Sequence, residues 1–230
     1  MGYCVDIALC LDTTGAMNAF LETLRCGQEF FSQKLLNALE KRIDGKVELR
    51  LRIVGYRDFG RDGMMSLIET EFFSFPEEES AFKDALNAFE ARGGGDIPED
   101  SLEAFAVALK SDWTQTMSGA KVRHVIFIAT DAPSHPFGYS REKGGYYYPE
   151  DLPKDETELE LWWKEGVPGG TFSSKAGRLA VLAPNGYPWN QITEKHNVWV
   201  EFDNSAGLND VEQERVIELL VEAAFGQSVY

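Results

Sequence analysis

Apolar runs of strand length alternate with helical stripes along most of the chain, and their order predicts the architecture. Val5, Ile7, Ala8, Leu9, Cys10 and Leu11 form a nearly continuous hydrophobic run, the pattern of a strand buried on both faces. From 16 to 42, Phe20, Leu24, Phe31, Leu35 and Leu39 recur close to a 3.6-residue period, which predicts a helix ended at Gly45. Val47, Leu49, Leu51 and Ile53 alternate strictly and predict a strand with one polar face. "SLIETEFFSF" reads as its hairpin neighbour or an edge strand. Phe82, Leu86 and Phe89 mark a helix whose acidic "EEES" start suits the positive end of the dipole.

"RGGGDIPED" breaks that helix, and "DSLEAFAVALKSDW" begins another. Val122, Val125, Ile126, Phe127, Ile128 and Ala129 make a second fully buried strand. "GRLAVLAPN" and "NVWVEFDN" are two short strands, and "DVEQERVIELLVEAAFG" is a closing amphipathic helix. Strands alternating with helices predict an α/β fold: a doubly wound, Rossmann-like three-layer sandwich with a mostly parallel central sheet and one antiparallel edge strand. One domain accounts for residues 1–230. Its anomaly is an aromatic-rich insertion at about 134–175, where only "ETELELWWKEG" is helical. Loops of that length are functional or disordered, and the aromatic content opposes disorder.

Both buried strands stop at an aspartate, Asp12 in "LDTTGAM" and Asp131 in "ATDAP". Asp and Thr also suit turns and helix N-caps. In a doubly wound sheet, however, neighbouring strand ends converge on one edge, where ligands bind. That edge would gather Asp12, Thr14, Glu99 and Asp131. Carboxylates so close repel one another unless a cation intervenes. With oxygen donors alone, the ion is hard: Mg²⁺, Mn²⁺ or Ca²⁺.

Four stretches in order resemble the von Willebrand factor A (VWA) family. "DTTGAM" is similar to its Asp-x-Ser/Thr-x-Ser metal-ion-dependent adhesion motif, and "ATDAP" to its later Thr-Asp-Gly segment. "GGGDIPE" resembles the Asp-x-Pro-Glu loop of the integrin β version, and "GYRDFG" stands where that version has a second-strand aspartate. Together they cover residues 7–133. The resemblance implies that Asp12, Thr14, Glu99 and Asp131 hold Mg²⁺ or Mn²⁺, and that Asp58 and Asp96 form a second site, suited to Ca²⁺, with a Glu99 oxygen. A pairing of Asp58 with Arg57 or Arg61 competes with that assignment. One position departs from the motif: its second hydroxyl is Ala16 here, which makes the site degenerate.

The resemblance implies a protein-interaction module, not an enzyme, whose metal accepts an Asp or Glu of a protein partner. Stand-alone bacterial relatives resemble adaptors beside a kinase, phosphatase or ATPase. Tyr147, Trp162, Trp163 and His135 are the expected partner contacts, because the insertion leaves the chain directly after Asp131. On this reading the insertion overhangs the metal face and is removable without loss of the fold. Two alternatives stay open: a haloacid-dehalogenase-like phosphohydrolase, and a VWA domain that binds partners without metal. The first lacks a general acid two residues after Asp12, where Thr14 stands.

Composition narrows the partners. A formal charge of −16, from 38 acidic and 22 basic residues, disfavours nucleic acid and anionic membranes. No apolar run approaches the ~20 residues of a membrane span, and "MGYCVDIALC" lacks the plan of a secretory signal. Cys4, Cys10 and Cys26 show no framework spacing, which suits a reducing, cytoplasmic setting.

Overall fold

The computed structural model describes residues 2–26, 30–94, 97–115, 119–145, 147–193, 195 and 197–226. The central strand β1 (Gly2–Asp12) lies parallel between β2 (Val47–Tyr56) and β5 (Ala120–Ala129). Strands β6 (Gly177–Ala183) and β7 (Val198–Phe202) continue the parallel sheet beyond β5. At the other edge, β3 (Leu67–Glu69) and β4 (Phe73–Phe75) run antiparallel to β2. The single antiparallel edge strand expected from "SLIETEFFSF" is thus two three-residue pieces. The pairing lapses around Phe72, whose ring lies under the Arg50 guanidinium and against Trp113.

Side-chain alternation along β1 feeds two cores. Val5, Ile7, Leu9 and Leu11 meet α1 (Asn18–Arg25), α2 (Phe31–Ile43), α3 (Glu79–Ala88) and α7 (Gln213–Phe225). Ala8 and Cys10 meet α4 (Ser101–Leu109) and α6 (Glu156–Glu165) on the opposite face. Each fully buried Leu, Ile or Phe contributes about 1.5–3 kcal/mol, so this two-sided burial fixes β1 and delivers Asp12 to the sheet edge. The sheet is the predicted three-layer α/β arrangement.

Three expectations need correction. The helix over 16–42 is two helices, because Cys26 and Phe30 are both extended. The polar face of β2 is only partly solvated: Glu48 is exposed, but Arg50 forms a two-pronged pair with Asp6 at 2.9 and 2.7 Å, and buried Arg52 donates to Ser111 Oγ at 2.7 Å. Finally, the 134–175 segment is no detachable overhang. Besides α6 it carries the short helix α5 (Tyr139–Glu142), and its Leu159, Trp162 and Phe172 are buried in the core with α4.

Candidate functional site

Strand order reverses about β1, so its carboxyl end, beside that of β5, is a topological switch point. There Thr14, Gly15, Ala16, Gly93, Gly94, Ile97, Glu99 and Asp131 line a crevice of about 370 Å³. Asp12 lies beneath it, fully buried. One oxygen accepts the Thr14 N–H at 2.9 Å and the other the Thr130 hydroxyl at 2.8 Å. Burial pushes its carboxyl up to about 6; the Thr14 and Thr130 bonds oppose the rise, and neighbouring Asp131 adds to it.

Glu99 arrives on the loop after α3. Gly94, at φ +69°, packs over Thr14, where a Cβ would stand 2.9 Å from the Thr14 Cβ. The Glu99 backbone then pairs with the segment after β5: its N–H donates to Pro133 O at 3.1 Å and its carbonyl accepts from His135 N at 2.8 Å. This bridge sets Glu99 beside Asp131. Its Oε2 is buried without a hydrogen-bond partner among the described residues. Burial, with Asp12, Asp62, Asp58 and Asp100 nearby, raises the carboxyl to about 9. An orphaned, proton-hungry oxygen of this kind is what a cation would relieve.

Asp131 is half-buried, and its Oδ2 accepts the Gly207 N–H at 2.7 Å. Gly207 also touches the first motif, because a Cβ there would stand 2.0 Å from the Ala16 carbonyl oxygen. Sequence reasoning missed this clamp. The structure therefore brings Asp12, Thr14, Glu99 and Asp131 to one place. Yet among the described residues no group of three or more His, Cys, Asp or Glu side chains stands where it could hold a metal ion. An ion in the crevice would rely on the Thr14 hydroxyl and on water for the rest of its shell.

The second expected ion site is altered. Asp96 lies outside the described residues. Asp58 is buried, but its partner is not Arg57, whose guanidinium donates to the Thr13 and Glu90 carbonyls. Asp58 Oδ1 instead accepts from Gly60 N at 2.6 Å and Ser140 Oγ at 3.3 Å, and Oδ2 faces His135 Nε2 at 3.7 Å. Behind it lie two carboxylates that the sequence reading passed over, Asp100 and Glu103, both fully buried. Asp100 accepts from Phe59 N and Ser140 Oγ; Glu103 accepts from Gly138 N and Tyr148 OH. The available signal was that α4 is otherwise apolar after Ser101, so an acid at Glu103 had no route to water.

Of the expected partner contacts, two are corrected. Trp162 is buried on the inward face of α6, and His135 is buried under Tyr139, their rings stacked at 4.1 Å. Neither is presented to a partner. Trp163 is half-buried against Phe105 and Phe172. Tyr147 is exposed, as are Ile97, Met64, Met65 and Tyr139. Ile97 lines the crevice, and a Cβ on Gly63 would lie 3.7 Å from the Tyr147 ring.

The fold and site define an α/β domain with an acidic, hydroxyl-bearing crevice at the strand ends. No protein-family model matches the chain, and no curated protein matches it. Among solved structures, the pilus adhesin SpaC from Lactobacillus rhamnosus GG superposes over 96% of this chain at 13% identity and TM-score 0.54. A von Willebrand factor type A protein from Catenulispora acidiphila covers 97% at 12% identity and TM-score 0.49. Proximal thread matrix protein 1 of the mussel byssus covers 97% at 13% identity and TM-score 0.48. The chain spans 30%, 43% and 46% of those three chains respectively. At such identities the first likeness shows a shared fold. Among the described residues no helix is long and apolar enough to cross a membrane.

Proposed function

We propose that the chain is a VWA-like protein-interaction module that works by binding, not turnover, and captures a carboxylate of a protein partner through a divalent cation, Mg²⁺ or Mn²⁺, in the crevice. The observation that carries this reading is the buried, unpartnered Glu99 Oε2 beside Asp12 and Asp131, under an opening that Thr14 and Ala16 line. The Thr14 hydroxyl would hold the ion directly, and Asp12, Glu99 and Asp131 would reach it through water. The bound ion supplies an open coordination position with strong attraction for an anionic oxygen.

The chain's own groups prepare that position. Thr14 N–H and the Thr130 hydroxyl orient Asp12, the bridge to Pro133 and His135 orients Glu99, and Gly207 N–H orients Asp131. Ile97, exposed on the crevice wall, is suited to apolar contact beside the anchoring carboxylate. The phosphohydrolase alternative fares worse, since Thr14 stands two residues after Asp12, where that chemistry needs its general acid. The likeness to the adhesin concerns fold; the site carries the function.

Calorimetric titration with Mg²⁺ and Mn²⁺ tests the reading. Asp12→Asn is expected to weaken metal binding 10–100-fold, the usual cost of losing an orienting or ligating carboxylate. Ala16→Ser restores the missing hydroxyl and is expected to tighten it by roughly tenfold, about 1.4 kcal/mol. Absence of saturable binding by both the wild type and Ala16→Ser would end the metal-dependent reading. Metal-stimulated cleavage of p-nitrophenyl phosphate, abolished in Asp12→Asn, would replace it with the hydrolase.

A further inference from the structure

On the face of the sheet opposite α7, a second cavity opens between α4, α6 and the segment joining β6 to β7. Its volume, about 350 Å³, falls within the range of small-ligand sites. It shares no lining residue with the acidic crevice. Leu102, Phe105, Leu179 and Trp163 supply apolar walls, and the Phe105 and Trp163 rings meet at 5.6 Å. Glu156 and Glu160, one helical turn apart on α6, both line the same cavity.

Their charges are matched differently. Glu160 is paired with Lys164 at 2.9 Å and Lys195 at 3.6 Å, and these partners hold its carboxyl below the ordinary range. Glu156 has no ammonium or guanidinium partner among the described residues. Its Oε1 accepts only neutral donors, the Tyr187 hydroxyl and Phe137 N–H. Trp189, also in the wall, is buried, and its indole N–H has no acceptor among the described residues. Aromatic faces next to an unmatched carboxylate favour an organic cation, through ring quadrupole and charge together. A chain of net charge −16 draws cations toward it and repels anions.

We propose that this cavity binds a small organic cation, its apolar body against Phe105 and Trp163 and its protonated amine at Glu156. Enclosure by two helices, a strand end and a loop fits a compact molecule better than a flat protein surface would. The site is independent of the metal crevice and does not rest on it.

The experiment uses the full chain at pH 7 with two probes of like shape and opposite charge, 2-phenylethylamine and 3-phenylpropionate, followed by tryptophan fluorescence and calorimetry. The amine is expected to bind at least tenfold more tightly. Glu156→Gln keeps an oxygen for Tyr187 and Phe137 and should erase that preference. Thr157→Trp, at an exposed position on the cavity wall, should block both probes while melting like the wild type. Equal affinities in the wild type, amine binding indifferent to both variants, or no saturable amine binding would each overturn the proposal.

Discussion

Gly207→Ala is expected to lower the melting temperature by roughly 6–12 °C, the equivalent of about 3 kcal/mol in a domain of this size. Two costs combine. Gly207 sits at φ +65° and ψ 18°, a left-handed conformation that costs an L-residue about 1 kcal/mol or more. Its Cβ would also stand 2.0 Å from the Ala16 carbonyl oxygen and 2.8 Å from the carbonyl carbon. Both atoms are backbone, so no side chain can swing aside. Either the turn at 206–208 or the first motif must move, and moving the turn breaks the 2.7 Å bond to Asp131. Thermal melts beside Gly144→Ala provide the comparison, since Gly144 has φ +79° but nothing within 4 Å of its Cβ position. That control should lose only about 1 kcal/mol, the conformational part. If the two variants melt together, the contact with Ala16 yields freely and the clamp has no mechanical role. The same Gly207→Ala protein should bind metal more weakly, because Asp131 loses its orienting donor.

The central strands were legible because over 7–11 and 125–129 their neighbours on both faces leave room only for apolar side chains. β1 and β5 therefore advertise both their burial and the sheet edge where each apolar run stops, at Asp12 and Asp131. The break between α1 and α2 was not legible for a related reason. Leu24 and Phe31 are seven residues apart, two helical turns, and both helices pack on the same core, so the hydrophobic phase survives the interruption. In "LELWW" the helical period already held the answer for the tryptophans. Leu159 and Trp162, three apart, share the inward face, while Leu161 points outward and is 46% exposed. Composition had suggested anchors where periodicity specifies core. The convergence of strand ends already drew Glu99 to that edge, yet nothing in its spacing from Asp131 foretells the backbone bridge to 133–135 that holds it there. Gly207 carries no local signal, because its constraint comes from a carbonyl about 190 residues earlier.

Glu103 sets the second large expectation, a dependence of stability on pH. Its carboxyl is fully buried, and burial together with nearby Asp100 pushes it from an ordinary 4.5 up to about 8. Tyr148 beside it is pushed upward too, first by burial and then by Glu103, so its hydroxyl stays a donor. The fold therefore favours the neutral form of Glu103, whereas the unfolded chain ionises it near its ordinary value. Its contribution to stability is complete below about pH 4.5 and is lost progressively as pH climbs to about 8, at roughly 1.4 kcal/mol per unit. Glu103→Gln makes the neutral state permanent. Its oxygen can still accept from Gly138 N–H at 2.7 Å and Tyr148 OH at 3.1 Å, and an amide replaces an Oε2 that has no partner. Urea unfolding from pH 4.5 to 8.5 is expected to show curves that nearly coincide at the acid end and diverge by a few kcal/mol in the variant's favour at the alkaline end. Asp12 and Glu99 titrate in both proteins, so they shape both curves and largely cancel from the difference, while Asp100, relieved of a neighbouring charge, moves it the same way. If the curves stay parallel throughout, Glu103 ionises inside the fold without cost, and its hold on the Gly138 and Tyr148 segment must come from the charged form.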